Sequence, residues 1–239
     1  MNIFDRTLVE FLLKHFNRSY YVFRTIVFIA DNDDLIKGGV FGILCWYLWF
    51  RSENKNSEKR VLLISTLIAV LFSMVVALTL AGIMPFRVRP FLNPQFVFSS
   101  ADLLDPYLSQ KSSFPSDHAA LFISLATGFF FISRKAGLFS LSYAVIFILF
   151  PRFYLGYHYP SDLIIGGLIG VAFAIFFNRS AVTKKMIREI IIPVSLSRPA
   201  LFYPIFFVIT YEISDLFSGS RSILLFLHEI YRHYRASGI

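Results

Sequence analysis

The chain is poor in what a water-soluble protein of its length carries. Only 16 % of its 239 residues are charged, against about a quarter in soluble domains. A single cysteine, Cys45, excludes an intrachain disulfide and a cysteine-based metal cluster. Its place inside an apolar run suits a buried structural thiol. Acidic residues are scarce: 15 Asp and Glu stand against 23 Lys and Arg, a formal charge of +8. No basic aromatic module accompanies that charge, which argues against a nucleic-acid partner. A cleavable signal peptide is not expected, because Asp5, Arg6, Glu10 and Lys14 interrupt residues 1–16 and no small-residue cleavage site follows. Sequence repeats and low-complexity tracts are missing too.

What is there is apolar. Hydrophobic residues make up 56 % of the chain, 29 of them Phe, and the mean hydropathy is +0.63. The reading is an all-α, polytopic transmembrane helix bundle of about six spans, at 34–50, 61–83, 117–133, 137–155, 161–178 and 200–217. Residues 3–16 and 221–235 read as amphipathic helices lying in the membrane interface. In the first of these, Ile3, Phe4, Leu8, Phe11 and Leu12 form the expected apolar face. Residues 19–30 are apolar but short, with Arg24 in the middle, and read as interfacial or re-entrant. The expected division is 1–33 for N-terminal interfacial helices, 34–178 for a catalytic transmembrane core, and 179–239 for a basic loop, an extra span and an amphipathic tail.

Basic residues set the orientation. Loops 51–60, 134–136 and 179–199 fall on one side and hold 11 Lys and Arg, against four in the connecting loops opposite. The positive-inside rule places that side in the cytoplasm and the opposite loops outside it, at the cell membrane.

Three segments on that opposite side carry chemistry. Arg87 and Arg89 follow the second span; arginine presents a planar fork of donors that matches phosphate oxygens. Pro115-Ser116-Asp117-His118 opens the third span, where helix N–H groups favour an anion, Ser116 adds a hydroxyl, and the His118 imidazole is placed to protonate a leaving oxygen. Arg152 to Asp162 reads RFYLGYHYPSD. His158 and Asp162 are four apart, so a helical start would stack them, with Asp162 accepting the Nδ1–H of His158 and leaving Nε2 free to attack. Arg152 can reach the same phosphate. A capping sequence, a tyrosine–histidine belt and snorkelling arginines would explain each segment singly; all three on one membrane face point to a phosphate site.

The pattern resembles the type 2 phosphatidic acid phosphatase superfamily, whose three motifs are Lys-x6-Arg-Pro, Pro-Ser-Gly-His and Ser-Arg-x5-His-x3-Asp. Arg89-Pro90 matches the end of the first. Pro115-Ser116-Asp117-His118 matches the second with Asp117 in the glycine position. Arg152, His158 and Asp162 match the third, with Pro151 in place of its serine. The lysine of the first motif falls at Gly82, and Arg87 is a candidate to supply its charge. The Pro-Ser-Asp-His variant is similar to the bacitracin-resistance type of undecaprenyl diphosphate phosphatase. The resemblance implies a metal-independent membrane lipid phosphatase with no cofactor. His158 would become a phosphohistidine, Asp162 would orient it, His118 would serve the leaving group, and Arg89, Arg152, Ser116 and backbone amides would hold the phosphoryl oxygens. Undecaprenyl diphosphate is the leading substrate. Phosphatidic acid, phosphatidylglycerol phosphate and lipid A are alternatives, and a non-catalytic lipid-phosphate binder or transporter is the reading of a different class.

Overall fold

A computed structural model describes residues 2–16, 19–51, 58–98 and 109–215. The tail helix expected at 221–235 lies outside the described residues, as do most of loop 51–60 and part of the long segment 84–116. Among the described residues the chain is helical and contains no strand.

Helix α1 spans Ile3–His15 and α2 spans Tyr20–Asp31; a π-helical turn, Asp33–Gly39, leads into α3, Val40–Phe50. Then come α4, Glu58–Ile83, and α5, Asp117–Ile132. The run Arg134–Tyr154 is one apolar helix in three pieces: α6 Arg134–Tyr143, a π-helical turn Ala144–Leu149, and α7 Phe150–Tyr154. Helix α8 is Pro160–Arg179. Helices α9, Ala181–Met186, and α10, Ile192–Ser197, flank another π-helical turn, and α11 is Pro199–Ser214.

Three helices among the described residues are long and apolar enough to cross a membrane: Glu58–Ile83, Arg134–Tyr154 and Pro160–Arg179. The pair Ala181–Ser197 and Pro199–Ile213, bent by 114°, counts as a fourth if it is one broken span. The expected spans at 34–50 and 117–133 are apolar helices, Ile36–Phe50 and Asp117–Ile132, of less than spanning length. The basic stretch 179–199, expected as a loop, is helical from Ala181 to Ser197: Ser180 caps it, its side chain accepting from Thr183 N. Its charges lie on helical turns, with Arg188 and Lys184 both reaching Glu58 at the start of α4.

At the centre, α4, α5 and α8 pack on one another. Small residues make this possible. Gly166, Gly170, Ala174 and Asn178 recur every four residues along the buried face of α8, the spacing that brings helix backbones close in a membrane. Asn178 ends the stripe, its amide donating to Thr66 Oγ1 on α4 at 3.3 Å. The large residues of α8 face outward, Ile164, Leu168 and Phe176 each being at least half exposed. A surface more apolar than the interface beneath it is what lipid, as solvent, permits.

Gly166 bears on the carbonyl of Ser116 and Gly170 on that of Ala120. Neither backbone oxygen can turn aside, so Gly166→Ala is expected to cost about 1–3 kcal/mol by overpacking and to push α8 off the start of α5. Gly167→Ala is the control, since its added Cβ meets only the Ile123 side chain, with Cγ1 at 3.7 Å and Cγ2 at 3.9 Å. Thermal unfolding of both variants in detergent checks the contrast; equal midpoints would show that the interface yields.

Candidate active site

The central packing brings three helix ends together: α4 finishes where α5 and α8 start. Backbone hydrogen bonds tie the connecting segments. Ser113 N donates to Arg87 O at 2.9 Å, Phe91 N to Gly156 O at 3.1 Å, and Ser116 N to Asp162 O at 3.1 Å. Each segment picked out in the sequence is thus bonded to another one. Gly156 turns the chain with φ of +74°, and a Cβ there would strike the Phe98 ring; glycine alone adopts this conformation without strain.

His158 is buried, and its Nδ1 lies 2.7 Å from the carbonyl oxygen of Ser113. A carbonyl can only accept, so Nδ1 carries the proton and Nε2 keeps its lone pair. Arg89 Nη1 stands 3.4 Å from that Nε2 and donates to Tyr157 O at 2.7 Å. The rest of the Arg89 fork donates to the carbonyls of Lys111 and Ser112 at 3.3 and 3.4 Å. Burial pulls the His158 imidazole well below its ordinary range; the Arg89 charge and His118 add to this, while Asp117 and the Ser113 carbonyl oppose it. His158 is therefore a neutral lone-pair donor at neutral pH. Arg89 is itself lowered, chiefly by burial, but an arginine starts so high that it stays charged.

His118 sits in the first turn of α5. Its Nδ1 is 2.8 Å from Asp117 Oδ1, which also accepts the His118 backbone N–H at 2.8 Å. Its Nε2 meets Arg152 Nη2. The Arg152 guanidinium lies over the Tyr157 ring, 5.3 Å from its centroid. Asp117 and His118 both act electrostatically on His158, and Asp117 and Arg152 on Arg89. The two imidazoles and two guanidinium groups therefore form one cluster. Ser116 is the N-cap of α5, its Oγ accepting from Ala119 N at 3.4 Å.

Two expected placements are corrected. Asp162 does not take the Nδ1–H of His158. Helix α8 begins at Pro160, so His158 lies outside it and no helical face joins the pair. Asp162 is the third helical residue and turns back, Oδ2 accepting from Tyr159 N at 2.8 Å in a capping box. Arg87 likewise does not face the histidines. Its Nη1 pairs with Asp162 and donates to Ser161 Oγ at 2.9 Å, its Nη2 pairs with Asp5 at 2.5 Å, and it stacks on Tyr159 at 4.3 Å. With two buried carboxylates as partners, Arg87 does not supply the charge missing at Gly82.

Asp5 was not foreseen. It is fully buried, and accepts from Ser161 N at 2.9 Å and Ser161 Oγ at 2.7 Å as well as from Arg87. The inward stripe of α1 is Asp5, Val9 and Leu12; the apolar face read from the sequence keeps Ile3, Phe4 and Phe11 outward, but Leu12 turns inward beside Asp5, a charge expected on the opposite side. Val9 and Leu12 join Phe23 and Val27 of α2 in a cluster with Phe91, Tyr154, Tyr157 and Tyr159. The N-terminal helices thus buttress the loops that carry Arg89 and His158. Asp5→Ala leaves the Arg87 guanidinium short of a buried partner and is expected to cost about 3–5 kcal/mol. Thermal unfolding in detergent reads this; an unchanged midpoint would mean that Asp162 alone satisfies Arg87.

Asp117 and Ser113 were also missed as partners. Asp117 stood in the motif as a replacement for glycine, though its adjacency to His118 was the available signal. Ser113 acts through a backbone carbonyl, which no residue type announces.

Fold and site together define an all-helical membrane protein with a paired histidine–arginine cluster at one end of its central helices. The match to the PAP2 superfamily covers residues 58–186, more than half of the chain, and the chain belongs to that superfamily, a family of phosphatases. One curated relative, named bacitracin transport permease protein BcrC, from Bacillus licheniformis, is 35 % identical over 80 residues, which is 34 % of this chain and 39 % of the relative. The chain therefore matches about two fifths of that relative's length. No solved structure is detectably similar.

Proposed function

We propose that this protein hydrolyses a membrane lipid phosphate or diphosphate through a phosphohistidine on His158. The observation that carries the reading is that each imidazole has a fixed Nδ1 and an arginine at Nε2: Ser113 O fixes the His158 tautomer with Nε2 unprotonated beside Arg89, and Asp117 fixes His118 with Nε2 beside Arg152. In the first step His158 Nε2 forms a bond to phosphorus while the bond to the leaving oxygen breaks. Arg89 and Arg152 hold the equatorial oxygens. Once the phosphate draws the Arg152 guanidinium to itself, His118 Nε2 can carry a proton, the Asp117 carboxylate stabilising the imidazolium. His118 gives that proton to the leaving group, then takes one from the water that attacks phosphorus and breaks the P–N bond. Phosphate leaves and both imidazoles return to their starting states. Arg87 ties the start of α8 to Asp5 of α1, the Asp162 carbonyl ties it to the start of α5, and neither side chain is given a reacting role.

Every step falls to side chains, and among the described residues no three His, Cys, Asp or Glu side chains are gathered as a metal site. Activity is expected to survive exhaustive chelation; loss restored by added divalent metal would overturn the metal-free scheme. The depressed His158 pKa sets the pH dependence. A base lowered below its ordinary value of about 6.5 stays unprotonated at lower pH, so the acid limb of kcat/KM is expected below pH 6.5. An acid limb above that value would contradict a buried, neutral nucleophile.

Undecaprenyl diphosphate is the substrate we favour, from the Pro-Ser-Asp-His variant and the partial likeness to a protein named for bacitracin. The distribution of basic residues supports an active site on the extracytoplasmic face of the cell membrane, because Arg51, Lys59, Arg134, Lys135 and Arg179 mark the opposite helix ends. Phosphate release from undecaprenyl diphosphate, phosphatidic acid, phosphatidylglycerol phosphate and lipid A, measured on purified protein, tests the choice. The relative's name, a transport permease, favours a second reading as a lipid-phosphate transporter. Lipid binding with no phosphate released from any of the panel would select it.

A further inference from the structure

Asp5 is a buried carboxylate to which the proposed reaction gives no part, and it lies outside residues 58–186, the stretch matched to the superfamily. A carboxylate is costly to bury unless it is paired and hydrogen-bonded, so its partners define what it does. Oδ1 accepts from Ser161 N at 2.9 Å, and Oδ2 accepts from Ser161 Oγ at 2.7 Å and from Arg87 Nη2 at 2.5 Å. One side chain of α1 therefore grips the start of α8 and the segment that follows α4.

Both gripped segments lead to His158. On the α8 side, Ser161 lies three residues beyond it. Asp162, which shares Arg87 with Asp5, accepts from the N–H of Tyr159, the residue after His158, at 2.8 Å. On the α4 side, the Arg87 guanidinium is fixed by the two carboxylates and by the Tyr159 ring, 4.3 Å from its centroid. The Arg87 carbonyl accepts from Ser113 N at 2.9 Å, and the Ser113 carbonyl lies 2.7 Å from His158 Nδ1. Contacts thus run without a gap from Asp5 through Arg87 and Ser113 to the imidazole. Val9 and Leu12, on the same stripe of α1, hold the helix by apolar packing and offer Arg87 no charge.

We propose that Asp5 is a positioning residue for His158: it pins Arg87, Arg87 pins Ser113, and the Ser113 carbonyl holds the ring with Nε2 at the site of reaction. Asp5 itself touches no reacting atom. Its effect on rate rests on the phosphatase reading, and its effect on the ring does not. What it supplies is aim, and a misplacement of about 1 Å at a reacting group costs on the order of 10²-fold. The residues matched to the superfamily carry the nucleophile; α1, from outside them, keeps it in line. A merely structural Asp5 would hold α1 down as Val9 does and leave the His158 ring unmoved.

Asp5→Asn keeps the shape and still accepts from Ser161 N, but gives Arg87 no charge. Val9→Ala loosens the same helix and leaves that link intact. The full chain, labelled with ¹⁵N-histidine, is compared by NMR in detergent at a temperature where each variant is folded. The His158 Nδ1 proton is identified by its loss in His158→Gln. It is expected to move upfield in Asp5→Asn as the bond to Ser113 lengthens, and to stay in place in Val9→Ala. Turnover is measured on the same samples. The kcat per folded molecule falls about 10- to 100-fold in Asp5→Asn, KM changes little because Arg89 and Arg152 remain, and Val9→Ala matches the wild type. Arg87→Lys keeps the charge but loses the fork that meets two carboxylates. It is expected to copy Asp5→Asn, and the double variant to lose no more than either, since both cut the same link. Either single variant carries the test if the other does not fold. An unmoved proton, an unchanged kcat, a change in KM alone, the same changes in Val9→Ala, or losses that multiply in the double variant would each overturn the proposal. A wild type that releases no phosphate would overturn the phosphatase reading instead, and the proton shift would still decide this one.

Discussion

His158→Ala is expected to bring phosphate release to background, a loss on the order of 10⁴-fold or more, as when a covalent nucleophile is removed from a site that retains its binding groups. The arginines remain, so affinity for the lipid phosphate changes little, and the loss falls on kcat rather than KM. Both parts matter. A protein that only binds or carries the lipid would lose nothing in turnover, having none. A site that used a water activated by His118 would keep most of its rate. The side chain at 158 is buried against the Ser113 carbonyl. His158→Gln keeps a group of similar size there and separates lost chemistry from lost structure: it should unfold like the wild type and be as inactive as the alanine variant.

His118→Ala is expected to lower kcat by about 10²- to 10⁴-fold with an alkyl phosphate, the range for removing a general acid–base group. The signature is the dependence on leaving group. An alkoxide or lipid phosphate leaving oxygen needs a proton in the transition state, whereas an aryl oxide with a low pKa does not. With an aryl phosphate the first step recovers, and the phosphohistidine accumulates because its hydrolysis lacks a base. Asp117→Asn, which cannot stabilise the imidazolium, should show a weaker version of the same pattern. Equal losses in the rate of the first step for alkyl and aryl phosphates would assign His118 a role in binding alone.

The helical bundle and the clustering of three distant segments were readable in the sequence, because both follow from rules that act on residue types. Long apolar runs become helices in lipid, and a helix that enters a membrane places its two ends on opposite faces. That argument alone brings Arg89, His118, Arg152 and His158 to one face. What it does not give is which group holds which. The four-residue spacing of His158 and Asp162 suggested a shared helical face, yet Pro160 starts the helix after His158 and the capping box turns Asp162 to the backbone of Tyr159. Arg87, two residues from Arg89, points the opposite way, because buried carboxylates at Asp5 and Asp162 draw it. Asp5 is some eighty residues away in sequence, in a helix whose more hydrophobic face looks outward. The charged side of an interfacial helix was expected to face water, and that expectation hid Asp5 in the inward stripe it shares with Val9 and Leu12. The Ser113 carbonyl was invisible for a different reason, since every residue has one and only the fold chooses among them.

The covalent intermediate is the most direct point of attack. Protein incubated with a ³²P-labelled aryl phosphate is quenched in alkali within one turnover and digested, and the labelled peptide is sequenced by mass spectrometry. The scheme predicts phosphate on His158, stable to alkali and lost in acid, more abundant in His118→Ala than in the wild type, and missing from His158→Gln. Turnover in the wild type with no protein-bound phosphate in either background, or label that persists in His158→Gln, would contradict it.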